Sequence, residues 1–482
     1  MMNNMTKKEK LLLAFTAAAM LICLIPLVCM TFARTDTTTE KKELAPMPSL
    51  FEDGSFNIDY LGQLGDYFSD HFAFRQQLVS LDSAIRGRIF GVSTVDSVVV
   101  GRDGWLFFTD TVNDFTGAEP LSDRALFNIA NNISIMQQYA EANGARFVFT
   151  IAPNKNTLYP QFMPYTLTAA DRSSHNAIRL REKLDALGVN YVDLFDMFDA
   201  RGEVLYLKRD SHWNDRGALL VCNELLRAAD REDAVYVDGD CELVDFTGDL
   251  NSMLYPLNSK PEKNYDYGIS GYDTVTGSGS VEDALIVTSC SDAPGSLLMY
   301  RDSFGNSMLP FMARAFGSAA FMRTVPYNTG MHTGVYQPDT VIVEKVERNI
   351  DELASMPPVL ESADTELETV SGSDVLATVE ASAAEENFTF WRFDGEIDNA
   401  VADNDTRIFL RITCDDGYCF TREAFTVSND DTDYAFRLYV SQDTIFEDSS
   451  AQVEVIACCL GEWHTLCSEN IYFSTSGAGF DE

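Results

Sequence analysis

Positive charge is scarce in this sequence of 482 residues. Its 35 lysines and arginines face 74 aspartates and glutamates, so the formal net charge is −39. Nucleic acid and anionic membrane surfaces repel such a chain, which argues against a nucleic-acid-binding role. A strongly anionic polymer is also a poor partner unless the binding cleft carries basic groups of its own. The last lysine is Lys345, and the acidic remainder indicates a separate C-terminal module.

Several motifs of well-known chemistry are missing as well. The ten cysteines include no pair with CxxC spacing, which argues against a zinc ribbon or a thioredoxin-type site. No phosphate-binding loop is present. The GxSxG elbow is also absent, which argues against an ordinary secreted lipase or protease. Cys414 and Cys419 flank a turn-like segment, so a short disulfide between them is one pairing that the sequence allows.

An apolar run near the N-terminus indicates where the chain resides. Lys7, Lys8 and Lys10 precede an uncharged stretch, Leu11–Ala33, that is long enough to span a bilayer as a helix. The lysines favour a cytoplasmic N-terminus. Residues 1–34 are therefore predicted to be a cytoplasmic tip and an uncleaved transmembrane anchor, with the remainder outside the cytoplasm. A cleavable signal peptide is the alternative.

After a polar linker predicted at residues 35–50, helical and strand-like segments alternate. Phe147–Ala152 is a continuous apolar run, typical of a strand that is buried on both faces. The alternation predicts parallel strand–helix–strand units and a three-layer α/β/α sandwich over residues 51–360. The further strands predicted for its parallel sheet are Val189–Leu194, Leu297–Tyr300 and Thr340–Lys345.

The pattern changes after about residue 360, where helical periodicity ends. A linker is predicted at residues 361–375 and an acidic all-β sandwich at residues 376–482, because short alternating segments follow one another with turn residues between them. Its aromatic side chains could stack on sugars, although burial in a core is the commoner explanation. These aromatic residues are Trp391, Tyr418, Tyr439 and Trp463.

The segment Leu298–Gly305 carries the strongest local signal for chemistry. An apolar strand runs into a tight turn at Ser303 and then into Phe304–Phe316, which is predicted to be a helix. A serine at this point lies at the carboxyl edge of the sheet, where open α/β sheets bind ligands. The first turn of a helix favours the negative charge of an acyl-transfer intermediate. A simple helix cap is the alternative role for this serine.

A base for this serine is available in the loop Arg209–Asn214. Asp210 and His212 are two residues apart, so in an extended segment their side chains share a face. The carboxylate could then hold one ring nitrogen and leave the other for Ser303, as in a hydrolase triad. A chance pair in a surface loop is the alternative, and His332 is a weaker rival base. The other histidines are interpreted as structural or surface residues: His71, His175 and His464.

A polar loop follows the predicted strand Phe147–Ala152, again at the carboxyl edge of the sheet. Its side chains could donate hydrogen bonds to an oxyanion or to substrate hydroxyls, although turn formation alone would also explain them. The oxyanion and substrate candidates, two of which flank Ser303, are Asn154, Lys155, Asn156, Asp302 and Gly305.

Together, the segments Asp210–Trp213, Arg301–Gly305 and Pro153–Lys155 resemble the DHHW family. This family is related to the SGNH-like O-acetyltransferases of alginate and cellulose acetylation. Weaker matches extend the resemblance over roughly residues 50–350. The sequence departs from the family name at Ser211, where that name has a histidine, but neither triad role lies at that position.

The resemblance implies an SGNH-like fold with Ser303 as nucleophile, His212 as base and Asp210 as the residue that orients the base. It also implies an extracytoplasmic O-acetyltransferase that modifies a cell-surface or secreted polysaccharide, with a membrane-bound O-acyltransferase as the partner that delivers acetyl groups. This chemistry requires no metal or cofactor. A carbohydrate acetylesterase with the same triad and a non-catalytic glycan-binding or scaffolding protein are the alternatives.

Overall fold

The computed structural model describes residues 6–30, 44–52, 55–86, 92–257, 259–367, 371–372, 376–387, 389–459 and 462–474. Helix α1 spans Lys7–Cys29, within the segment predicted as an anchor. Among the residues just given, no helix combines the length and the apolar character that crossing a membrane requires. The predicted transmembrane helix therefore finds no support in the structure. The predicted end of the apolar run at Ala33 and most of the linker at residues 35–50 lie outside the described residues.

Short elements follow α1 before the main sheet begins. They are β1 (Phe51–Glu52), β2 (Ser55–Phe56), α2 (Tyr60–His71), α3 (Arg75–Ile85), β3 (Val98–Val100), β4 (Leu106–Phe108) and α4 (Val112–Thr116). Strands β3 and β4 pair antiparallel, and Gly104 in their turn has a φ of +75°, which glycine adopts without strain. Trp105 and Phe107 at this hairpin are buried in the core of the α/β region.

The α/β region contains nine helices and nine strands among the described residues. The first half comprises α5 (Asp123–Ala142), β5 (Arg146–Ala152), α6 (Lys155–Leu158), α7 (Asn176–Ala186), β6 (Tyr191–Val192), α8 (Leu194–Asp199), α9 (Asp215–Ala228), β7 (Glu242–Phe246) and α10 (Asp249–Leu254). The second half comprises β8 (Glu262–Asp266), β9 (Asp273–Thr276), β10 (Leu285–Ser289), β11 (Ser296–Tyr300), α11 (Leu309–Ala315), β12 (Ser318–Met322), α12 (Thr329–Tyr336), β13 (Thr340–Val346) and α13 (Glu352–Ser355).

Seven of these strands form the central sheet, in the order β6-β5-β13-β11-β12-β10-β9. The first five strands run parallel, but β10 is antiparallel to β12, and β9 is antiparallel to β10. The sheet is therefore mixed, and the prediction of a parallel sheet was wrong at this edge. The reason is the short connection at residues 290–295 between β10 and β11, since a crossover to a parallel strand needs about a dozen residues or more.

Side chains of the sheet alternate between two cores. In β5, Phe147, Phe149 and Ile151 pack in the core that contains residues of α5 and α7. Val148 and Ala152 pack in the opposite core, with residues of α9 and α11. Because helices cover both faces, the strand is apolar along nearly its whole length. Helices on both faces of one sheet give the layered α/β arrangement that the sequence predicts.

The C-terminal residues form two further sheets, as their alternating pattern predicts. Their strands are β14 (Ser371–Gly372), β15 (Ala377–Ala383), β16 (Phe390–Ile397), β17 (Arg407–Cys414), β18 (Cys419–Glu423), β19 (Phe425–Val427), β20 (Ala435–Ser441), β21 (Ser449–Cys459) and β22 (Glu462–Phe473). The sheet orders are β14-β22-β21-β17-β18 and β15-β16-β20-β19. Trp391 and Tyr439 are buried rather than available to a sugar, whereas Tyr418 is exposed. Cys414 and Cys419 are free thiols, so the short disulfide is not formed here.

Helix α5 connects the α/β region to these C-terminal sheets. Arg124, Asn128 and Asn132 are four residues apart and so lie on one face of the helix, and all three are buried. Arg124 donates a hydrogen bond to the Thr406 carbonyl oxygen at 2.6 Å. Asn128 donates to the Asp433 carbonyl oxygen at 2.8 Å. The polar face of α5 is therefore an interface with the C-terminal sheets and not a solvated surface.

Candidate active site

Three predicted site residues meet at the carboxyl edge of the central sheet. Ser303 follows β11, and His212 lies in the loop before α9. His212 Nε2 is 2.8 Å from Ser303 Oγ, and His212 Nδ1 is 2.7 Å from Asp210 Oδ1. The imidazole therefore bridges the carboxylate and the hydroxyl, so that a proton leaving Ser303 Oγ has an acceptor within hydrogen-bond distance.

The loop that carries Asp210 and His212 is held as a tight hairpin. Tyr206 and Trp213 form an isolated antiparallel bridge across its base. The next residue, Asn214, caps α9 by accepting a hydrogen bond from the Gly217 N–H at 2.8 Å. Both ends of the hairpin are therefore fixed to regular structure.

The carboxylate of Asp210 is almost completely buried but fully hydrogen-bonded. Its Oδ1 accepts the His212 N–H at 2.9 Å in addition to the ring nitrogen, and its Oδ2 accepts the Asp249 N–H at 2.8 Å. Burial alone would raise the pKa of Asp210, but the adjacent His212 and these hydrogen bonds outweigh burial and lower it. Asp210 therefore stays ionised and can stabilise a protonated imidazole.

A second carboxylate, Asp249, supports the same histidine. Its Oδ2 lies 3.9 Å from His212 Nδ1 and 2.6 Å from the Ser211 hydroxyl, which donates to it. Burial lowers the pKa of His212, but the charges of Asp210 and Asp249 more than offset this, so that the pKa is raised. Sequence reasoning missed Asp249, which is separated from the Asp210 loop along the chain by about forty residues of α9 and its connections.

Gly248 allows the segment before α10 to approach the loop of Asp210. A Cβ atom at this position would lie 2.4 Å from the Arg209 carbonyl oxygen and 2.9 Å from the Asp210 nitrogen, both of them backbone atoms. Only a residue without a side chain fits at such distances. No sequence pattern marks this part of the site, because the same Gly–Asp pair also occurs at Gly65–Asp66 and Gly239–Asp240.

Lys155, one of the predicted oxyanion candidates, supports the loop from its buried side. Its ammonium donates to the carbonyl oxygens of Leu207 at 3.2 Å, Lys208 at 3.3 Å and Asp210. Burial lowers the pKa of Lys155 to about 8. With its donors engaged by three carbonyl oxygens, Lys155 positions the backbone of Asp210 and does not face a substrate.

Two more candidates lie in the same turn. The Asn156 side chain donates to the Thr111 carbonyl oxygen at 3.0 Å. The Asn154 backbone N–H donates to Glu347 Oε2 at 2.6 Å, whereas its buried side-chain amide has no hydrogen-bond partner among the described residues. Neither residue lines the cavity in front of Ser303, and their predicted oxyanion role gains no support from their positions.

The candidates that flank Ser303 fix the turn in which it lies. Asp302 accepts the Phe304 N–H at 2.8 Å and the Val346 N–H at 2.7 Å, which joins the turn to the end of β13. A Cβ atom at Gly305 would lie 2.7 Å from the Arg301 side chain. Both residues therefore shape the turn, and neither lines the cavity.

The helix predicted to begin directly after Ser303 is interrupted. A single 3₁₀ turn spans Phe304–Asn306, and the α-helix begins only at Leu309. The prediction of a continuous helix over Phe304–Phe316 was therefore wrong. The physical reason is Pro310, which lacks the N–H that a helix continuing from Phe304 would need but fits in the first turn of the helix that begins at Leu309.

An open cavity of about 660 Å³ lies in front of Ser303, within the size range of pockets that bind small molecules or sugar units. Its walls combine apolar side chains with carboxylates, and no lysine or arginine is among the described residues that line it. The nearby Arg323 is paired with Glu282 at 2.8 Å. The apolar lining residues include Trp213, Val244, Phe246, Met253 and Tyr265, and the acidic ones are Asp210, Asp215, Asp249, Asp266 and Glu282.

Residues 98–282 match a family model described as the SGNH hydrolase-like domain of the acetyltransferase AlgX. The chain resembles the SGNH-like acetyltransferases. This confirms the resemblance that the motifs indicate and the SGNH-like character of the α/β fold. The matched stretch contains Asp210 and His212 but ends before Ser303, so the hydrogen bond between His212 and Ser303 is an independent structural observation.

Individual relatives agree with this match. The probable alginate O-acetylase AlgJ of Pseudomonas putida is 28% identical over 172 residues, which cover 33% of this chain and 42% of AlgJ. The chain thus spans less than half the length of this curated relative. Among solved structures, the O-acetyltransferase domain of Pseudomonas putida AlgJ is 17% identical, with a TM-score of 0.37 and coverage of 53% of this chain and 92% of that domain.

Two further solved structures show a similar level of likeness. Bacillus cereus PatB1 with a sulfonyl adduct is 15% identical, covers 54% of this chain and 97% of its own, and has a TM-score of 0.41. A DHHW family protein from Eubacterium siraeum is 16% identical, covers 53% of this chain and 97% of its own, and has a TM-score of 0.37.

Proposed function

We propose that this protein is a serine-dependent O-acetyltransferase that acts on a cell-surface or secreted polysaccharide. The observation that carries the proposal is the relay from Asp210 through His212 to Ser303, with distances of 2.7 and 2.8 Å. Serine is a weak nucleophile at neutral pH and needs such a base. The match to the SGNH hydrolase-like domain of AlgX supports acetyl transfer as the reaction.

In the first step, Ser303 Oγ attacks the carbonyl carbon of an acetyl donor while His212 Nε2 takes the hydroxyl proton. Collapse of the tetrahedral intermediate breaks the bond to the leaving group, which receives that proton, and an acetyl ester remains on Ser303. In the second step, a sugar hydroxyl gives its proton to His212 and attacks the ester. This attack forms the O-acetyl sugar and returns the proton to Ser303.

The acceptor that fits the cavity is an uncharged or amino sugar. The five carboxylates of the cavity wall and the net charge of −39 repel a uronic acid polymer. The name of the relative AlgJ refers to alginate, which is a polyuronate, and the acidic cavity of this chain favours a different substrate. The apolar side chains of the wall offer surfaces for the C–H faces of sugar rings.

The test of the reaction uses the purified protein, a chromogenic acetyl ester as donor and a neutral oligosaccharide as acceptor. Mass spectrometry then compares the O-acetylated oligosaccharide with free acetate, and peptide mapping locates the acetylated residue. We expect acetyl on Ser303 and acetylated sugar as the main product. Free acetate as the main product, with Ser303 acetylated, would instead identify a carbohydrate acetylesterase with the same triad. An unmodified Ser303 would contradict both.

The resemblance also supports an extracytoplasmic location and a membrane-bound O-acyltransferase as the source of acetyl groups. Because Cys241 is exposed, a membrane-impermeant maleimide added to intact cells should label it, and Cys241→Ser should reduce the labelling. Labelling only after the cells are permeabilised would place the domain in the cytoplasm. Co-purification with a multi-spanning acyltransferase would identify the partner.

A further inference from the structure

A second cluster of one histidine and two carboxylates lies apart from the proposed catalytic residues. Asp114 is in α4, His175 precedes α7, and Glu347 follows β13, so three distant segments converge. The side chains of His175 and Glu347 are 4% and 0% exposed, and that of Asp114 is 12% exposed. His175, interpreted from the sequence as a structural or surface residue, is therefore buried beneath neighbouring segments.

The facing atoms of this cluster have no hydrogen-bond partner among the described residues. They are Asp114 Oδ2, Glu347 Oε1 and both ring nitrogens of His175. His175 Nδ1 is 3.8 Å from the Asp114 oxygen and 3.7 Å from the Glu347 oxygen, which is too far for a hydrogen bond. Burying such unpaired polar atoms is unfavourable unless something compensates them.

We propose that Asp114, His175 and Glu347 bind a divalent metal cation of the zinc or manganese class. Three ligand atoms, one from each residue, lie within 4.8 Å of one another. Metal–ligand bonds of about 2.1 Å place neighbouring ligands roughly 3.4 Å apart in a tetrahedral site, so small side-chain adjustments complete it. An imidazole nitrogen with two carboxylate oxygens suits zinc or manganese better than calcium, which prefers oxygen ligands alone.

The surroundings orient the proposed ligands. Glu347 Oε2 accepts the Asn154 N–H at 2.6 Å and the Thr157 hydroxyl at 2.9 Å, which leaves Oε1 directed at the cluster. The facing oxygens of Asp114 and Glu347 lie within 4.8 Å of each other, and a bound cation would offset the repulsion between two ionised carboxylates.

A cavity beside the cluster gives a cation a path to it. A cavity of about 120 Å³ is lined by Asp114 and Glu347 and holds space for a water ligand. Three further carboxylates, Asp110, Glu119 and Asp351, and one arginine, Arg348, also line it. The lining is therefore acidic on balance and would attract a cation towards the cluster. Oriented ligands and an entry path are what a metal site requires.

The role of the proposed metal is structural. Glu347 holds the turn that begins at Asn154, and the next residue, Lys155, holds the backbone of the proposed catalytic loop. A cation on Glu347 would fix this turn against α4 and the start of α7. The proposal does not depend on the reaction at Ser303.

The test begins with full-length protein stripped by EDTA, equilibrated with Zn²⁺ or Mn²⁺ and desalted. We expect about one equivalent of one metal per chain by inductively coupled plasma mass spectrometry. We also expect the metal-loaded protein to have a higher melting temperature than the protein in EDTA. Asp114→Asn and Glu347→Gln keep the side-chain shapes, and the amide introduced by Glu347→Gln retains an oxygen for the Asn154 N–H. Both variants should retain less than a tenth of the wild-type metal.

The matched control is Asp249→Asn, because Asp210, His212 and Asp249 also lie close enough together to hold a cation. We expect its metal content to equal that of the wild type. Loss of metal in Asp249→Asn but not in Asp114→Asn would overturn the proposal, as would less than a tenth of an equivalent of both metals in the wild type.

Should the cluster variants fail to fold, X-ray absorption of the wild type decides the question. Nitrogen and oxygen ligands are expected, with labelling of Ser303 by a sulfonyl fluoride equal in the metal-loaded and EDTA-treated protein. Sulfur ligands, or labelling that the metal blocks, would refute the site.

Discussion

Two regions of this protein contain the same three groups, one imidazole and two carboxylates, in opposite hydrogen-bonding states. At His212, both ring nitrogens have partners, at 2.7 Å on Asp210 and 2.8 Å on Ser303. At His175, both ring nitrogens lack a partner among the described residues, and the nearest carboxylate oxygens are 3.7 and 3.8 Å away. The residue types alone therefore do not define the kind of site. The hydrogen-bond partners of the ring nitrogens and carboxylate oxygens define it.

The difference corresponds to two kinds of chemistry. A proton relay needs a donor on one ring nitrogen and an acceptor on the other, which Ser303 and Asp210 provide. A metal centre needs lone pairs that nothing else uses, which the cluster at His175 provides. The single turn Asn154–Lys155 contacts both regions, through Glu347 on one side and the Asp210 loop on the other.

The largest expected effect comes from breaking the relay itself. Ser303→Ala and His212→Ala should each reduce kcat with a chromogenic acetyl ester by about 10³-fold or more, because nucleophile and base act as a unit. His332→Ala is the matched control, since His332 bonds to Tyr300 outside the cavity. If His332→Ala abolished turnover while His212→Ala did not, the base would be assigned wrongly.

A smaller effect is expected from the lysine behind the relay. Lys155→Met removes the donor shared by three carbonyl oxygens of the loop, and the resulting displacement of Asp210 should lower kcat about 10- to 100-fold. The exposed pair of Lys263 with Asp245 serves as control, so Lys263→Met should leave kcat nearly unchanged. Equal rates for both variants would show that Lys155 does not position the loop.

A further prediction concerns the pH dependence of kcat/KM. The unprotonated His212 is the base, so activity should fall as the pH drops through its pKa, which Asp210 and Asp249 raise above the ordinary value. Asp249→Asn removes one of these charges and should shift the acidic limb of the profile to lower pH. A shift to higher pH, or none, in the rate profile would contradict the role given to Asp249.

The smallest expected effect is on the free energy of unfolding and concerns the cluster at His175. In the metal-free protein, Asp114→Asn should raise the free energy of unfolding in urea by about 1 kcal/mol, because it removes one of two opposed buried charges. Asp210→Asn should lower it, because the hydrogen bonds of Asp210 favour an ionised carboxylate. If both substitutions changed the free energy of unfolding in the same direction, the two clusters would be electrostatically alike.

Much of the α/β region follows from sequence patterns. The predicted strands Phe147–Ala152 and Thr340–Lys345 correspond to β5 and β13 within one residue at each end, because continuous apolar runs have few alternatives to a buried strand. The proximity of Asp210 to His212 follows from their spacing. The resemblance to the DHHW family was also visible in the motifs.

Other features depend on contacts between distant segments and were not predictable. The burial of Lys155 depends on the three carbonyl oxygens of a loop some fifty residues further along the chain and on the rings of Trp105 and Phe107 below its ammonium group. The burial of His175 is likewise set by distant segments, since α4 and the end of β13 enclose it. The antiparallel edge of the sheet follows from a connection length rather than from a residue pattern.

Every residue of helix α5 from Arg124 to Met136 is buried. One face belongs to the interior of the α/β region, and the polar face is bound by carbonyl oxygens of the C-terminal sheets. The same apolar interior includes Phe425 and Tyr439 from those sheets, so roughly the last quarter of the chain closes one side of that interior and is not an appendage. Deleting it would open that interior, and heating should melt both parts together in one calorimetric transition.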